Sequence, residues 1–240
     1  MKIQQDRATT PLKVNSLQGG YNGQAVIHDC NMTVTAGEIV VIMGGSGSGK
    51  STFLRHLIGL KPPMQGNVEL FGQSLYSVSE MERLSLLKGI GVSFQSGALL
   101  SSLTVAQNVS LPLIEHTHLD QQTIDFIIRM KLDFVGLLGK ENLLPSELSG
   151  GMLKRAAVAR AIALDPRIAF MDEPSAGLDP AVSAALDELI IKLRASLGMS
   201  VVVVTHELES AFKIADRIII LDRGYIIFSG TVEEIKVSKN

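Results

Sequence analysis

Cysteine is nearly missing from this 240-residue chain, with Cys30 the one thiol. That excludes an internal disulfide and a thiolate metal cage and fits a reducing compartment, so Cys30 reads as a small core residue of an early strand. Charge is also scarce. Charged residues make up 19% of the chain, below the roughly 25% usual for soluble domains, and 22 Lys+Arg against 24 Asp+Glu leave a formal net charge of -2. No broad cationic field is available to hold a polyanion, and nucleic acid is not expected as a partner. Long apolar runs are missing too: Val201–Val204 and Ile218–Leu221 are the longest aliphatic ones, far short of the about 18 residues a membrane span needs. Met1–Thr10 has no apolar stretch, so no secretory leader is expected there. What the chain does have is 46% apolar residues and a mean hydropathy of +0.27. This is enough for one substantial core, or one core with a small subdomain, without staples. Low charge with positive hydropathy leaves two readings: a face that docks on something apolar, or a large buried parallel sheet.

Leu12–Leu17 and Asn31–Thr35 flank a turn at Gly19-Gly20-Tyr21-Asn22-Gly23, an antiparallel β entry. Glu38–Met43 is a nearly continuous apolar strand that runs into Gly44–Gly49. Lys50–Leu60 then has helical spacing, with Phe53, Leu54, Leu57 and Ile58 on one face and Pro62-Pro63 as the stop. Asn67–Phe71 and Ile90–Phe94 read as strands. From about 103 to 164 the pattern is helical, clearest at Thr123–Met130 and Gly151–Ala163. Strands resume at Ile168–Met171, Ser200–Val204 and Arg217–Leu221, with helices near Ala181–Ser196 and Glu207–Ala215 between them. Strands alternating with helices predict an α/β fold with a mainly parallel, doubly wound sheet. No repeat, low-complexity tract or linker interrupts the chain. A single unit over 1–240 is expected: a core of 1–96 and 165–240 carrying an α-helical subdomain at about 97–164.

Gly44-Gly45-Ser46-Gly47-Ser48-Gly49-Lys50-Ser51 satisfies G-x-x-x-x-G-K-[ST] in the strand-to-helix setting that gives the motif meaning. Its glycines allow positive φ, so that successive N–H groups converge on a β-phosphate at the positive end of a helix. Lys50 supplies a charge to the β- and γ-phosphates, and the Ser51 hydroxyl is placed to ligate Mg²⁺. A plain Gly/Ser turn would explain the loop but not its fixed spacing. Downstream, Ile168–Met171 ends in Asp172-Glu173. Alternation along a strand predicts opposite directions for these acids, with Asp172 serving Mg²⁺ and Glu173 acting as general base for in-line attack on the γ-phosphate. His116 and His118, two apart with no carboxylate or cysteine at ligand spacing, read as a solvated loop rather than a metal pair.

Leu148-Ser149-Gly150-Gly151-Met152 resembles the signature motif of ATP-binding cassette proteins, and the other motifs of that family follow in order. Gln95 after Gly91–Phe94 looks like the Q-loop glutamine, Ser175-Ala176-Gly177-Leu178-Asp179 like the D-loop, and His206 after Val201–Thr205 like the switch histidine. Tyr21 sits where the family keeps an aromatic that stacks on adenine. The resemblance covers nearly the whole chain. It implies a P-loop NTPase core with an antiparallel β subdomain at the N-terminus and an inserted α-helical subdomain. ATP and Mg²⁺ are implied as ligands, Gly44–Thr52 as the phosphate loop, and Ser51, Gln95 and Asp172 as metal ligands. Two copies are implied to sandwich two ATP molecules, with Ser149, Gly150, Gly151 and Asp179 completing the partner's site. Ser149 and the amides of Gly150 and Gly151 would open a helix and so form a second anion site.

Phe94–Leu100, Asn108–Thr117 and Met152, where the wider family has glutamine, are similar to the Mla-type branch. Its ATPases power MCE-associated transporters that move phospholipid between bacterial membranes. That resemblance implies a separate transmembrane permease, an MCE-type substrate-binding protein, a small accessory subunit, and a cytoplasmic location on the inner membrane face. Another importer or a lipoprotein-releasing system is the alternative within the family. A thioether at Met152 cannot make the hydrogen bonds of a glutamine amide.

Overall fold

The computed structural model describes residues 10–237. The leader expectation concerns Met1–Thr10, which apart from Thr10 lies outside the described residues, as do both extremities of the expected 1–240 unit.

β1 (Leu12–Tyr21) and β2 (Gln24–Val34) pair antiparallel around Asn22-Gly23. Both turn residues have positive φ, 50° and 78°, as a two-residue hairpin requires. The turn is tighter than the Gly19–Gly23 turn expected, because Gly19 and Gly20 stay in β1, where Gly19 lies against the His56 ring. β3 (Ile39–Met43) starts a second sheet and leads through the glycine loop into α1 (Lys50–Leu57), three residues shorter than its apolar spacing suggests. β4 (Gln65–Leu70) and β5 (Gln73–Ser74) return to the first sheet, whose order is β2-β1-β4-β5. α2 (Glu80–Lys88) has no counterpart in the sequence reading: only Leu86 in it is buried, so no apolar stripe marks it, although Ser79 and Glu82 form a complete capping box.

After β6 (Ile90–Ser93) come α3 (Val105–His116), α4 (Gln121–Phe134) and α5 (Gly150–Ala161), which pack on one another. Then follow β7 (Ile168–Asp172), α6 (Pro180–Leu197), β8 (Ser200–Thr205), α7 (Leu208–Ile214), β9 (Arg217–Asp222), β10 (Tyr225–Gly230) and α8 (Val232–Val237). The second sheet runs β10-β9-β3-β8-β7-β6, parallel from β9 to β6 with β10 an antiparallel edge.

The apolar surplus goes into this sheet. Every residue of β3 and β8 is buried. Ile39, Val41, Val201 and Val203 face a core shared with α3–α6, while Val40, Ile42, Val202 and Val204 face one shared with α1 and the antiparallel sheet. Each such side chain contributes about 1.5–3 kcal/mol on burial, so the central strands are anchored from both faces and their ends are held in fixed register. Among the described residues no helix is long and apolar enough to cross a membrane.

Candidate active site

Four neighbouring parallel strands, in the spatial order β3, β8, β7, β6, end along one edge of the second sheet. At these carboxyl ends stand, in the same order, the Lys50 loop, His206, Asp172-Glu173 and Gln95. Residues dispersed along the chain are thus gathered by strand order alone. With about 4.8 Å between strands the row spans about 15 Å, and such edges are where open α/β sheets bind ligands.

Gly47 and Gly49 take φ of 77° and 105°. A side chain on Gly49 would also meet Ile27 Cδ1 at 2.7 Å, so the entry into α1 tolerates only glycine. Gly49 caps α1 with no side-chain acceptor, and the first turn carries no acid. The N–H groups around Lys50, Ser51 and Thr52 are therefore left to an external anion at the positive helix end. Ser48 N–H donates to the Gly45 carbonyl at 3.2 Å, and Gly224 N–H to the Ser48 carbonyl at 2.9 Å, which pins the loop carrying Ser46 to the turn between β9 and β10. Lys50 Nζ donates to the carbonyls of Gly44 and Gly45 at 2.7 and 3.0 Å. A cavity of about 250 Å³ is lined by Val26 and residues 47–52.

β7 ends at Asp172, and Glu173 leaves it with φ 45°. Strand alternation therefore does not set the direction of Glu173, contrary to expectation: the residue lies outside β7, on a left-handed backbone that costs about 1–3 kcal/mol and is typical of functional positions. Its N–H donates to the Val204 carbonyl at 2.8 Å. Its carboxylate accepts from Thr205 Oγ1 at 3.2 Å and lies 2.9 Å from His206 Nδ1 at each oxygen. That contact calls for the proton on Nδ1. The Glu173 side chain is 11% exposed, that of His206 62%. Burial first, then the Glu173 charge, pushes the Asp172 carboxyl above its usual range, opposed by Lys50, Arg55 and Lys154.

Gln95 is exposed beyond β6, and its carbonyl accepts from Lys154 Nζ. Ser149 caps α5, its hydroxyl accepting from Met152 N–H at 3.3 Å, so the helix opens where the sequence places it. Asp179 caps α6 in the same way, accepting from Ala181 and Val182 N–H at 3.1 Å. The two starts touch: a Cβ on Gly151 would meet Val182 Cγ1 at 2.5 Å, and one on Gly150 would meet Leu178 Cδ2 at 3.3 Å. Met152 packs onto the helical core. Tyr21 ends β1 at 37% exposure. Its hydroxyl accepts from Arg55 Nη1 at 2.7 Å, and Lys61 Nζ lies 3.6 Å over its ring. A Thr52 hydrogen bond, and then Arg55 and Lys61, hold its phenol below the ordinary value against slight burial.

Cys30 is buried as anticipated, 3.4 Å from the Gly224 carbonyl, and burial pushes its thiol up to about 11. His116 closes α3 rather than lying in a loop. Sequence reasoning missed Lys154, Arg160 and Arg55. Lys154 did leave a signal: it precedes buried Ala157 and Val158 by three and four residues, on a helix face where a solvated lysine does not belong.

The family described as ABC transporter matches residues 27–176. Over 219 residues the chain is 42% identical to the intermembrane phospholipid transport system ATP-binding protein MlaF of Haemophilus influenzae, covering 91% of this chain and 83% of that protein. It is 38% identical over 227 residues to the probable ribonucleotide transport ATP-binding protein mkl of Mycobacterium bovis, covering 95% of this chain but 63% of that longer protein. A solved dimeric ATP-binding cassette in a post-hydrolysis state, bound to ADP and Pi, superimposes with a TM-score of 0.84 at 31% identity, over 92% of this chain and 98% of that one. The chain belongs to the ABC transporter family, as one of its ATP-binding and ATP-hydrolysing cassettes.

Proposed function

We propose that this cassette is the motor of a transporter that moves phospholipid between bacterial membranes. The observation that carries the motor chemistry is the gathering of Lys50, His206, Asp172-Glu173 and Gln95 along one edge of the parallel sheet. The similarity to MlaF supports the cargo.

Tyr21, with one face against Lys61, stacks the base on its other face. The loop Gly44–Gly49 and the first turn of α1, through Thr52, donate N–H groups to the phosphates, and Lys50 adds its charge. Ser51, Gln95 and Asp172 offer only oxygen donors, which suits Mg²⁺. Among the described residues no three of His, Cys, Asp or Glu converge into a cage, so such an ion would share its shell with phosphates and water. When bound, Mg²⁺ supplies charge neutralisation of the β- and γ-oxygens. Glu173 takes the proton of the attacking water. His206, giving Nδ1–H to Glu173, can donate a second N–H to the γ-phosphate only as imidazolium. Ser149, Gly150, Gly151 and Asp179 complete the site of a second copy, so that ATP closes a homodimer and hydrolysis opens it. The single unit is the core, 1–96 and 165–240, with the helical subdomain at 97–164. It works on the cytoplasmic face of the inner membrane with a transmembrane permease, an MCE-type substrate-binding protein and a small accessory subunit.

Glu173→Gln keeps size and hydrogen bonding but removes the base. Turnover should slow about 10²- to 10⁴-fold with ATP binding intact and the dimer trapped; near-normal hydrolysis would refute the assignment. The cargo is tested by reconstituting the cassette with its permease and labelled phospholipid. No ATP-dependent lipid movement, with robust transport of a ribonucleotide or release of a lipoprotein, replaces it with that cargo.

A further inference from the structure

Glu173 and Gln95 follow neighbouring strands but lead into different parts of the molecule. Glu173 follows β7 in the sheet, whereas Gln95 opens the segment leading into the helical insert. One side chain touches both. Lys154, in the second turn of α5, is 7% exposed, and its Nζ donates to the Gln95 carbonyl and, at 3.1 Å, to the Glu173 carbonyl. Both acceptors are main-chain atoms. A cation spent on two carbonyls fixes backbone geometry, which an ion pair to a mobile carboxylate would not do.

The surroundings sharpen this. The rest of the Gln95 loop is clamped to the same helix: Arg160 donates to the Ala98 carbonyl at 2.7 Å and to the Gly97 carbonyl at 3.0 Å, and a Cβ on Gly97 would lie 3.0 Å from Leu153 Cδ2. Loop and helix therefore form one body. Glu173, for its part, is held in its left-handed conformation from both sides, by its N–H to Val204 and by its carbonyl to Lys154. Lys154 is where the helical body meets the main chain of the residue that carries the reacting carboxylate.

We propose that Lys154 is a positioning residue for ATP hydrolysis: by bridging the Gln95 and Glu173 carbonyls it sets the register of α5 and its attached loop against the base. This rests on reading Glu173 as that base, so both are tested side by side on the full chain. Lys154→Met keeps the stem and removes the donors. Its kcat for ATP should fall about tenfold or more, while KM and equilibrium ATP affinity stay within about twofold, because the hydrogen bonds of Lys154 go to Gln95 and Glu173 and not to Tyr21 or the phosphate loop. Lys154→Arg, able to donate to both carbonyls, should recover much of the rate. Wild-type kcat in Lys154→Met beside an inactive Glu173→Gln overturns the proposal and leaves the base in place, whereas active Glu173→Gln removes the base reading itself. A fall in kcat matched by a rise in KM and a drop in Tm, without recovery in Lys154→Arg, marks a packing role and also overturns it. If Lys154→Met does not fold, Lys154→Gln is read instead: its shorter, uncharged amide bonds carbonyls more weakly than an ammonium does, so an intermediate kcat supports the proposal and a wild-type kcat sinks it.

Discussion

At the amino ends of the parallel strands, Glu38 just before β3 takes hydrogen bonds from Arg217 Nε at 2.7 Å and Nη2 at 3.2 Å, and from Thr35 N–H at 2.7 Å. Next to it, Asp216 accepts from Ile39 N–H and from Arg194, and Ser200 ties Gly37 to Thr35. At the carboxyl ends of the same sheet, Glu173 sits on strained backbone, α1 starts without a side-chain cap, and Asp172 is half-buried beside another acid. The two acids move in opposite directions. Burial pushes Glu38 up, but Arg217 and Thr35 outweigh it and leave it below its usual range; burial and Glu173 leave Asp172 above its own. One end has its polar groups satisfied internally, while the other keeps donors, strain and charge for a ligand.

The sharpest way to break this contrast is Asp172→Asn. If Asp172 is the metal-side carboxylate proposed above, hydrolysis should fall about 10²- to 10³-fold, yet the Tm of nucleotide-free protein should not fall, because the native state disfavours that ionised group. A Tm loss of several degrees would place Asp172 with the structural acids. Lys50→Ala comes next. If its charge serves the phosphates as proposed, removing it should weaken ATP binding about 10- to 100-fold with little change in Tm; unchanged affinity in an ATP titration counts against the phosphate loop.

Glu38→Gln tests the opposite end. Losing the carboxylate partner of half-buried Arg217 should lower stability by about 2 kcal/mol at neutral pH, read as a Tm drop of about 4–8 °C, with kcat within about twofold. Because the folded Glu38 lies below its unfolded value, its contribution is full above the ordinary carboxylate range and is lost as pH falls through the folded value. The gap between wild type and Glu38→Gln should therefore close in acid. For Asp172 the sign reverses: its penalty exists above the folded value and is relieved as pH falls. A gap that stays constant with pH would mean that Glu38 acts by packing.

The carboxyl end was the more legible of the two. Lys50, Glu173, His206 and Gln95 each follow an apolar strand, and a strand bounded by a glycine loop or paired acids leaves a local mark that needs no tertiary knowledge. Their spatial order was not readable, since β8 slips between β3 and β7 only through pairing far apart in sequence. The amino end was invisible for the same reason: Glu38 and Arg217 are 179 residues apart, and neither lies in a motif. β10 and α2 were missed because their burial is interrupted or nearly absent. Glu173 shows the limit of pattern rules: side-chain alternation fails where the backbone turns left-handed, and no residue beside it announces that turn.

Ser149 falls between the two ends, and replacing it should give the smallest effect. Its hydroxyl is already used within the chain, capping α5 through Met152 N–H at 3.3 Å, as an amino-end group would be. If that were all it did, Ser149→Ala would lose a cap worth about 1 kcal/mol and nothing else. The proposed dimer asks more of it, because the same hydroxyl and the amides after it would meet the partner's γ-phosphate, and a 3.3 Å cap is long enough to be given up for a charged acceptor. Ser149→Ala should then lower Tm by about 2–4 °C and also slow hydrolysis about five- to tenfold, the slowing appearing only at concentrations where two copies associate. Mixing Ser149→Ala with Glu173→Gln decides the matter. In the mixed dimer the variants spoil one shared site when Ser149 acts across the interface, and the other site, with intact Ser149 and Glu173, regains activity; activity that merely dilutes in proportion to the mixture would return Ser149 to the structural end of the comparison.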